Sequence, residues 1–97
     1  MGPDFDPLLL SQARLGIVSV LMTRKEATFT DLKSLLGMTQ GNLGVHLRKL
    51  EDGGYVRVTK SFVKRKPLTT AALTPAGRKA FLGHLATLED IARDAEA

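Results

Sequence analysis

A gap of only two residues between two helical segments constrains this fold more than any other feature of the sequence. Each segment places leucines on one helical face: Leu32, Leu35 and Leu36 in the first, and Leu43, Leu47 and Leu50 in the second. Only Gly37 and Met38 separate the first segment from Thr39, where the second begins. Because glycine readily adopts the positive φ that ends a helix, the two helices can cross at a steep angle. The spacing therefore predicts a helix-turn-helix over about residues 31–52.

Short polar signals predict where the helices begin and end. Thr30 offers a hydroxyl N-cap to the first helix of the motif, and Thr39 offers one to the second. The pair Gly53-Gly54 is expected to end the second helix. The pair Thr74-Pro75 predicts a final helix over about residues 75–95, because proline suits the first helical position.

The segment between the helix-turn-helix and the final helix predicts a β-hairpin over about residues 55–73. Residues 55–63 alternate apolar with polar side chains, and residues 68–73 form a second run that tolerates β structure. Lys64-Arg65-Lys66-Pro67 lies between the two runs and predicts a basic hairpin tip. Upstream, Ala27-Thr28-Phe29 is too short to be more than a strand stub.

The remaining segments fit one small domain. Residues 1–7 contain prolines and aspartates and predict an irregular N-terminus. Apolar residues then recur every three or four positions from Leu15 to Met22, which predicts the first helix. The chain has 97 residues, of which 43% are hydrophobic and 25% charged, as in ordinary globular domains. We therefore expect a single domain over residues 8–97, with an α+β fold that is mostly α.

Charge is distributed unevenly along the chain, whose formal net charge is +4. No Asp or Glu lies between Gly53 and Leu88, where the cations are Arg57, Lys60, Lys64, Arg65, Lys66, Arg78 and Lys79. After Leu88 the sign reverses, with Glu89, Asp90, Asp94 and Glu96 against Arg93. This separation predicts one surface that approaches phosphate and another that stays away from it, the alternative being an ordinary solvated surface.

Several function classes are disfavoured by what the sequence contains. There is no cysteine, which excludes a disulfide framework, a thiol nucleophile and a thiolate metal site. His46 and His84 lie 38 positions apart without a catalytic-triad or metal-ligand spacing, so no enzyme, cofactor or metal is predicted. The longest nearly apolar stretch, residues 15–22, is far shorter than the roughly 20 residues of a membrane span. We expect a cytoplasmic protein with no membrane association.

Three motifs carry a family resemblance. They are Arg14-Leu15-x-Ile17, then Gly41-Asn42-Leu43-x-x-His46-Leu47-Arg48-Lys49-Leu50-Glu51-x-x-Gly54-Tyr55-Val56, and Lys66-Pro67-x-Thr69-Thr70-x-x-Leu73-Thr74-x-x-Gly77-Arg78. Over about residues 8–88 the chain resembles winged-helix transcriptional regulators of the MarR/ArsR-like group, most closely small stand-alone winged helix DNA-binding domains. The resemblance implies a three-helix core, a two-stranded β wing and a C-terminal dimerisation helix. It also implies a homodimer that binds double-stranded DNA, with the second helix of the motif in the major groove and the wing on the adjacent minor groove or backbone.

The candidate DNA-binding residues lie on that recognition helix and on the wing. They are Thr39, Gln40, Gly41, Asn42, Gly44, Val45, His46, Arg48 and Lys49 on the helix, and Lys64, Arg65 and Lys66 on the wing. Gln40 is the favoured base contact, and Arg48 and Lys49 suit phosphate or guanine. Gly41 and Gly44 each cost a helix about 1 kcal/mol relative to alanine. Close approach to DNA explains that cost; packing against the preceding helix, or tolerance of a loose helix, are the alternatives.

The final helix carries an apolar band wider than one small core requires, formed by Phe81, Leu82, Leu85, Leu88 and Ile91. The band predicts a homodimer seam, the alternative being a helix that packs only on its own domain. The resulting hypothesis is a sequence-specific DNA-binding regulator that represses transcription, because we see no second domain to recruit a polymerase. The alternative function is a winged-helix module that binds protein or RNA without specific DNA binding. The sequence identifies no operator and no small-molecule effector.

Overall fold

In the part of the chain that the structure describes, four α-helices and the three strands of one antiparallel sheet occur along the chain in the order that the sequence predicts. The computed structural model describes residues 5–96. Its elements are a short 3-10 helix over Pro7–Leu9, α1 (Gln12–Met22), β1 (Ala27–Thr28), α2 (Phe29–Leu36), α3 (Gln40–Asp52), β2 (Val56–Val63), β3 (Lys66–Leu73) and α4 (Pro75–Glu96). The expected α+β, mostly α fold class is confirmed. Residues 1–4 of the predicted irregular N-terminus, and residue 97, lie outside the described part of the chain.

The helix-turn-helix is formed by α2 and α3. The φ of Gly37 is 60°, in the left-handed region, and the Thr39 hydroxyl accepts a hydrogen bond from the Asn42 N–H at 3.2 Å. The prediction that Thr30 caps α2 is wrong, because the cap is Thr28, whose Oγ1 accepts from the Asp31 N–H at 3.0 Å. Pairing of Thr28 with Thr70 in the sheet holds Thr28 in the extended conformation that an N-cap needs.

The sheet has the strand order β1-β3-β2, so the hairpin gains a third strand at its base. Ala27 pairs with Ala71 of β3. The hairpin runs from the Val56–Leu73 pair to the Val63–Lys66 pair at its tip. The predicted four-residue tip is too long, since Lys66 and Pro67 already belong to β3 and only two residues form the turn.

The core joins all of these elements. Its buried members are Leu9, Ile17, Val18, Leu21, Ala27, Leu32, Leu43, Leu47, Leu50, Val56 and Ala71. The predicted inner face of α3 is confirmed in full, and Leu36 of α2 packs against the core. Leu35 does not belong to the predicted inner face, because its side chain is 54% exposed. A helix as short as α2 buries one narrow stripe, and Leu35 lies on the side of Leu32 away from Leu36.

The N-terminal segment is fixed to the base of the wing through Asp6. One carboxylate oxygen of Asp6 accepts from the Leu8 N–H at 3.0 Å, and the other accepts a hydrogen bond from the Tyr55 hydroxyl. Leu9 is buried in the core immediately afterwards. The end of the predicted irregular segment is therefore an ordered 3-10 turn packed on the domain.

The Tyr55 phenol should titrate at unusually high pH. The hydrogen bond to Asp6, then burial, then the negative charge of Asp6 raise the pKa of Tyr55 to about 12. The unfolded phenol ionises near pH ~10, so the stability contributed here is present below that pH and is lost between pH ~10 and 12. Tyr55 is the only tyrosine, so tyrosinate absorbance during an alkaline titration reports this residue alone. We expect Asp6→Asn to return the midpoint toward the ordinary value, and a wild-type midpoint near ~10 would contradict the hydrogen bond.

Helix α4 begins at an N-cap formed by Thr74 and extends well past the core. The Thr74 hydroxyl accepts from the Gly77 N–H at 3.0 Å and donates to the Gly54 carbonyl at 2.6 Å. Gly77 and His84 are buried, whereas the last two turns of the helix are exposed. Among the described residues, no helix has the length and apolar character needed to cross a membrane.

Candidate nucleic-acid interface

Helix α3 presents an uncovered face opposite its leucines. Gly41 and Val45 lie along the middle of this outward face, and the side chain of Val45 is 54% exposed. Arg48 and Lys49 follow one turn later and are also exposed. The face ends in Asp52, so its N-terminal turns carry no negative charge while its last turn does. Any approach by phosphate is therefore favoured at the N-terminal part of α3.

The two helical glycines leave open space around the outward face. A Cβ built on Gly41 or on Gly44 would meet no described atom within 4 Å beyond the helix's own backbone. Packing against α2 is therefore not the reason for either glycine. By contrast, a Cβ on Gly16 of α1 would lie 3.2 Å from the side chain of Leu36. The two remaining explanations for Gly41 and Gly44 are close approach of an outside partner and tolerance of a loose helix.

A groove runs between α3 and the wing. Its lining residues are Phe29, Gln40, Gly44, Leu47, Arg48, Glu51, Val58, Lys60 and Thr69. Gln40, Gly44 and Arg48 thus share the flank of α3 that faces the sheet. The opposite wall includes Lys60, which was not among the candidate DNA-binding residues. The signal for Lys60 is strand alternation, since it follows Val56 and Val58 at intervals of two and shares their face of β2.

The other flank of α3 faces α1. Asn42, His46 and Thr39 line a cleft there with the N-terminal turn of α1. Arg14 Nη1 lies 3.2 Å from His46 Nδ1, and because a guanidinium can only donate, the Nδ1 atom accepts. Burial, then the charges of Arg14 and Lys49, lower the pKa of His46. His46 is therefore held by Arg14, whose Nε also donates to the Leu8 carbonyl at 2.8 Å.

The wing tip is a two-residue turn made of cations. Lys64 has φ 51° and Arg65 has φ 66°, both in the left-handed region. Such turns usually place Asn and Gly at these positions, because side chains are strained there. Both side chains are exposed, and Lys66 follows at the start of β3. The three predicted wing cations therefore lie together at the far end of the hairpin, and Lys60 lies between them and α3.

The acidic residues at the end of the sequence lie on the distal turns of α4. Arg93 and Asp90 form an exposed ion pair there, with Nη1 and Oδ1 3.1 Å apart. Such a pair contributes little stability. On the same helix the exposed fractions of the apolar side chains are 50% for Leu82, 42% for Leu85, 43% for Leu88 and 39% for Ile91. Phe81, the remaining member of the predicted seam, is half-buried and packs against the domain's own core.

This arrangement, with a recognition helix beside a β-hairpin wing, defines a winged helix-turn-helix domain. Residues 13–92 match the family model described as winged helix DNA-binding domain. The chain belongs to this winged helix DNA-binding domain family. The resemblance to winged helix-turn-helix regulators drawn from the sequence is confirmed at this level.

Proteins of known sequence or structure are similar to this chain over most of its length. The uncharacterized protein MJ0432 of Methanocaldococcus jannaschii is 34% identical over 86 residues, which cover 89% of this chain and 94% of that protein. A transcriptional regulator homologue from Pyrococcus horikoshii superposes with a TM-score of 0.86 at 31% identity, over 93% of this chain and 89% of its own. The transcriptional regulator BldR of Sulfolobus solfataricus has a TM-score of 0.72 at 22% identity, over 89% and 60%, which shows the shared fold. The family is one of DNA-binding domains, and the two solved structures are those of a transcriptional regulator and of a regulator homologue, not of enzymes.

Proposed function

We propose that this protein is a sequence-specific double-stranded DNA-binding transcriptional regulator that acts as a repressor. It binds as a homodimer, with α3 in the major groove and the wing on the adjacent minor groove or backbone. The observation that carries the proposal is the outward face of α3, where Gly41 and Gly44 leave the backbone uncovered beside a strongly basic wing. Repression follows from occlusion, since a domain seated on a promoter blocks access to the DNA beneath it.

Each candidate residue on α3 takes a role from its flank. Gln40, exposed at the first position of α3, suits a base edge because an amide can both donate to and accept from adenine. Arg48 and Lys49 contact phosphate or guanine farther along the exposed face. On the α1 flank, Asn42 and Thr39 suit backbone oxygens, and the ring of His46 is fixed by Arg14 so that its Nε2–H is free to donate.

The wing supplies charge on the second side of the site. Lys64, Arg65 and Lys66 sit at the tip, where the hairpin extends beyond the domain. Lys60 lies between this tip and α3, where it lines the same groove as Arg48. Contacts from these cations would hold the duplex in register without reading its sequence.

Binding to DNA is tested by fluorescence anisotropy with two labelled duplexes, one from the DNA upstream of this protein's own gene and one random. The titrations are repeated between about 50 and 200 mM salt, and the slope of log affinity against log salt concentration gives the number of phosphate contacts. We expect tight binding that falls steeply with salt and is stronger for the upstream duplex. Absence of binding to both duplexes at the lowest salt would reject the proposal in favour of a protein- or RNA-binding module.

Two variants separate the roles of wing and helix. Arg65→Ala should weaken binding to both duplexes alike and reduce the salt slope by about 1, because one phosphate contact is lost. Gln40→Ala should mainly reduce the preference for the upstream duplex. Arg93→Ala, on the acidic end of α4, removes the same kind of charge and should change neither property. Identical behaviour of the Arg65 and Gln40 variants would contradict this division of roles.

The homodimer rests on the four exposed apolar side chains of α4. A two-fold seam along Leu85 and Leu88 would bury them and set two recognition helices about one DNA turn apart. We expect Leu88→Glu to yield monomers, measured by sedimentation, that bind a full site poorly. Leu35→Glu places the same charge on a leucine of α2 that is also exposed, 54% against 43% for Leu88, and should leave the oligomeric state unchanged. A dimeric Leu88→Glu variant with normal binding would contradict the seam.

A further inference from the structure

The wing carries an exposed aromatic side chain that neither the core nor the contacts proposed above employ. Phe62 is 75% exposed although it lies in the paired part of β2. A phenylalanine in this position gives up most of the free energy that its burial would contribute. Its exposed ring is therefore accessible to a partner that approaches the hairpin from outside the chain.

The register of the hairpin fixes the direction in which Phe62 points. Directly opposed residues share a face, and the pairs along this face are Val56–Leu73, Val58–Ala71, Lys60–Thr69 and Phe62–Pro67. The first two pairs contribute to the core, and Lys60 and Thr69 line the groove beside α3. The Phe62–Pro67 pair thus continues the same face outward from the groove, on the side that faces α3.

The charge around this pair is entirely positive in sequence. Lys60, Lys64, Arg65 and Lys66 all lie within four positions of Phe62. No carboxylate occurs between Gly53 and Leu88, and the acidic residue that lines the groove, Glu51, lies on α3 and not on the wing. An apolar patch bordered by cations fits a duplex, whose phosphates match the cations and whose stacked bases match the aromatic ring. A purely apolar protein partner would leave these charges unpaired.

We propose that Phe62, backed by Pro67, is a wedge that enters the minor groove of the bound duplex and bends it. This inference rests on the proposed function and adds a specificity-determining residue to it. Phenylalanine and proline are among the side chains that insert between base steps from the minor groove, kinking DNA by about 20–90°. Pyrimidine–purine steps unstack most easily, so the wedge would favour sites with such a step beneath the wing. The protein would thereby select sequence at positions that α3 does not reach.

The test measures bending and unstacking on the duplex that binds best in the salt titrations. A duplex of about 30 base pairs carries dyes at its ends for energy transfer, and 2-aminopurine is placed in turn at each step under the expected wing position. The wild-type protein should shorten the end-to-end distance and raise 2-aminopurine fluorescence at one step. Phe62→Ala should abolish both signals and weaken binding about tenfold, as expected for loss of one stacked aromatic ring.

Three controls make the result specific to the wedge. Phe62→Leu keeps an apolar wedge and should retain most of the bend. Val63→Ala changes the neighbouring residue, which is 51% exposed but points to the opposite face, and should leave bending unchanged. The salt slope of Phe62→Ala should equal that of the wild type, because no phosphate contact is removed.

The outcomes separate this inference from the proposed function. If the wild-type protein binds the duplex but Phe62→Ala bends it equally, the wedge is wrong and DNA binding stands. If Val63→Ala loses the bend while Phe62→Ala keeps it, the assignment of the face is wrong and the wedge is again overturned. If the wild-type protein binds no duplex, the proposed function fails and the wedge with it.

Discussion

Replacing Gly41 and Gly44 together with alanine should stabilise the protein and weaken its binding to DNA. Alanine is favoured over glycine in a helix by about 1 kcal/mol per position, and the new methyl groups meet no described atom outside α3. We therefore expect the free energy of unfolding, measured with urea, to rise by about 2 kcal/mol. A gain of this size is large relative to the total stability of a small domain.

The same methyl groups should hold the backbone of α3 away from the base edges. Misfits of one or a few methylenes in a close-packed interface cost about 1–3 kcal/mol, which corresponds to roughly 5- to 150-fold in Kd. Leucine at Gly44 should give the upper end of that range, because this position lies in the groove between α3 and the wing. The loss should appear in the anisotropy titration with the upstream duplex.

The opposite signs of these two effects distinguish the explanations for the glycines. Close approach to DNA predicts higher stability with weaker binding, whereas tolerance of a loose helix predicts higher stability with unchanged binding. Gly83→Ala in α4 is a matched control, since its Cβ also meets no described atom within 4 Å. It should stabilise the fold by a similar amount and leave DNA binding unaltered. A double variant that is more stable and binds normally would show that close approach to DNA is not the reason for Gly41 and Gly44.

The sequence predicted those parts of the fold that local signals determine. Helix α3 was placed within a residue because Thr39 caps its start, Gly53-Gly54 follows its end and the leucines repeat at helical spacing. Thr74-Pro75 gave the start of α4 for the same reason, since the cap and the first helical position are adjacent residues. The uncovered face of α3 followed from this periodicity, because it lies opposite the leucines.

Contacts between distant positions could not be predicted in this way. The Tyr55–Asp6 hydrogen bond joins residues 49 positions apart, and the Arg14–His46 contact spans 32. The cap of α2 was misplaced for a related reason, since Thr28 becomes the cap only when β1 pairs with β3. Neither threonine near the start of α2 carries a local signal that separates it from the other.

In the candidate site, too, local sequence predicts some features, and others depend on how the chain folds. Strand alternation places Lys60 on the same face of β2 as Val56 and Val58, but only the folded structure shows that this face turns toward α3. The wing turn was placed too broadly, because Lys64 and Arg65 lack the Asn or Gly that normally marks a two-residue turn at positive φ. The turn thus carries a conformational cost that does not stabilise the fold, and the phosphate contacts proposed for Lys64 and Arg65 would account for it.

Gly77→Ala should strongly destabilise the fold, because α4 passes close to the backbone of Tyr55 at this position. A Cβ at Gly77 would lie 2.2 Å from the carbonyl oxygen of Tyr55 and 2.8 Å from a methyl carbon of Leu73. The first neighbour is backbone, which cannot rotate away as a side chain can. We expect the free energy of unfolding to fall by about 3 kcal/mol or more, even though alanine is the better helix former.

The reason is that one carbonyl joins the wing to α4. The Tyr55 oxygen also accepts a hydrogen bond from the N–H of Thr74, the N-cap residue of α4, at 3.0 Å. A methyl group at Gly77 must move α4 away from this oxygen, which lengthens that bond and disturbs the Thr74 cap. Leu73→Ala combined with Gly77→Ala relieves only the side-chain contact, so we expect no rescue. Recovery of wild-type stability in that double variant, measured by urea unfolding beside Gly83→Ala, would show that side-chain crowding rather than the backbone carbonyl determines the cost.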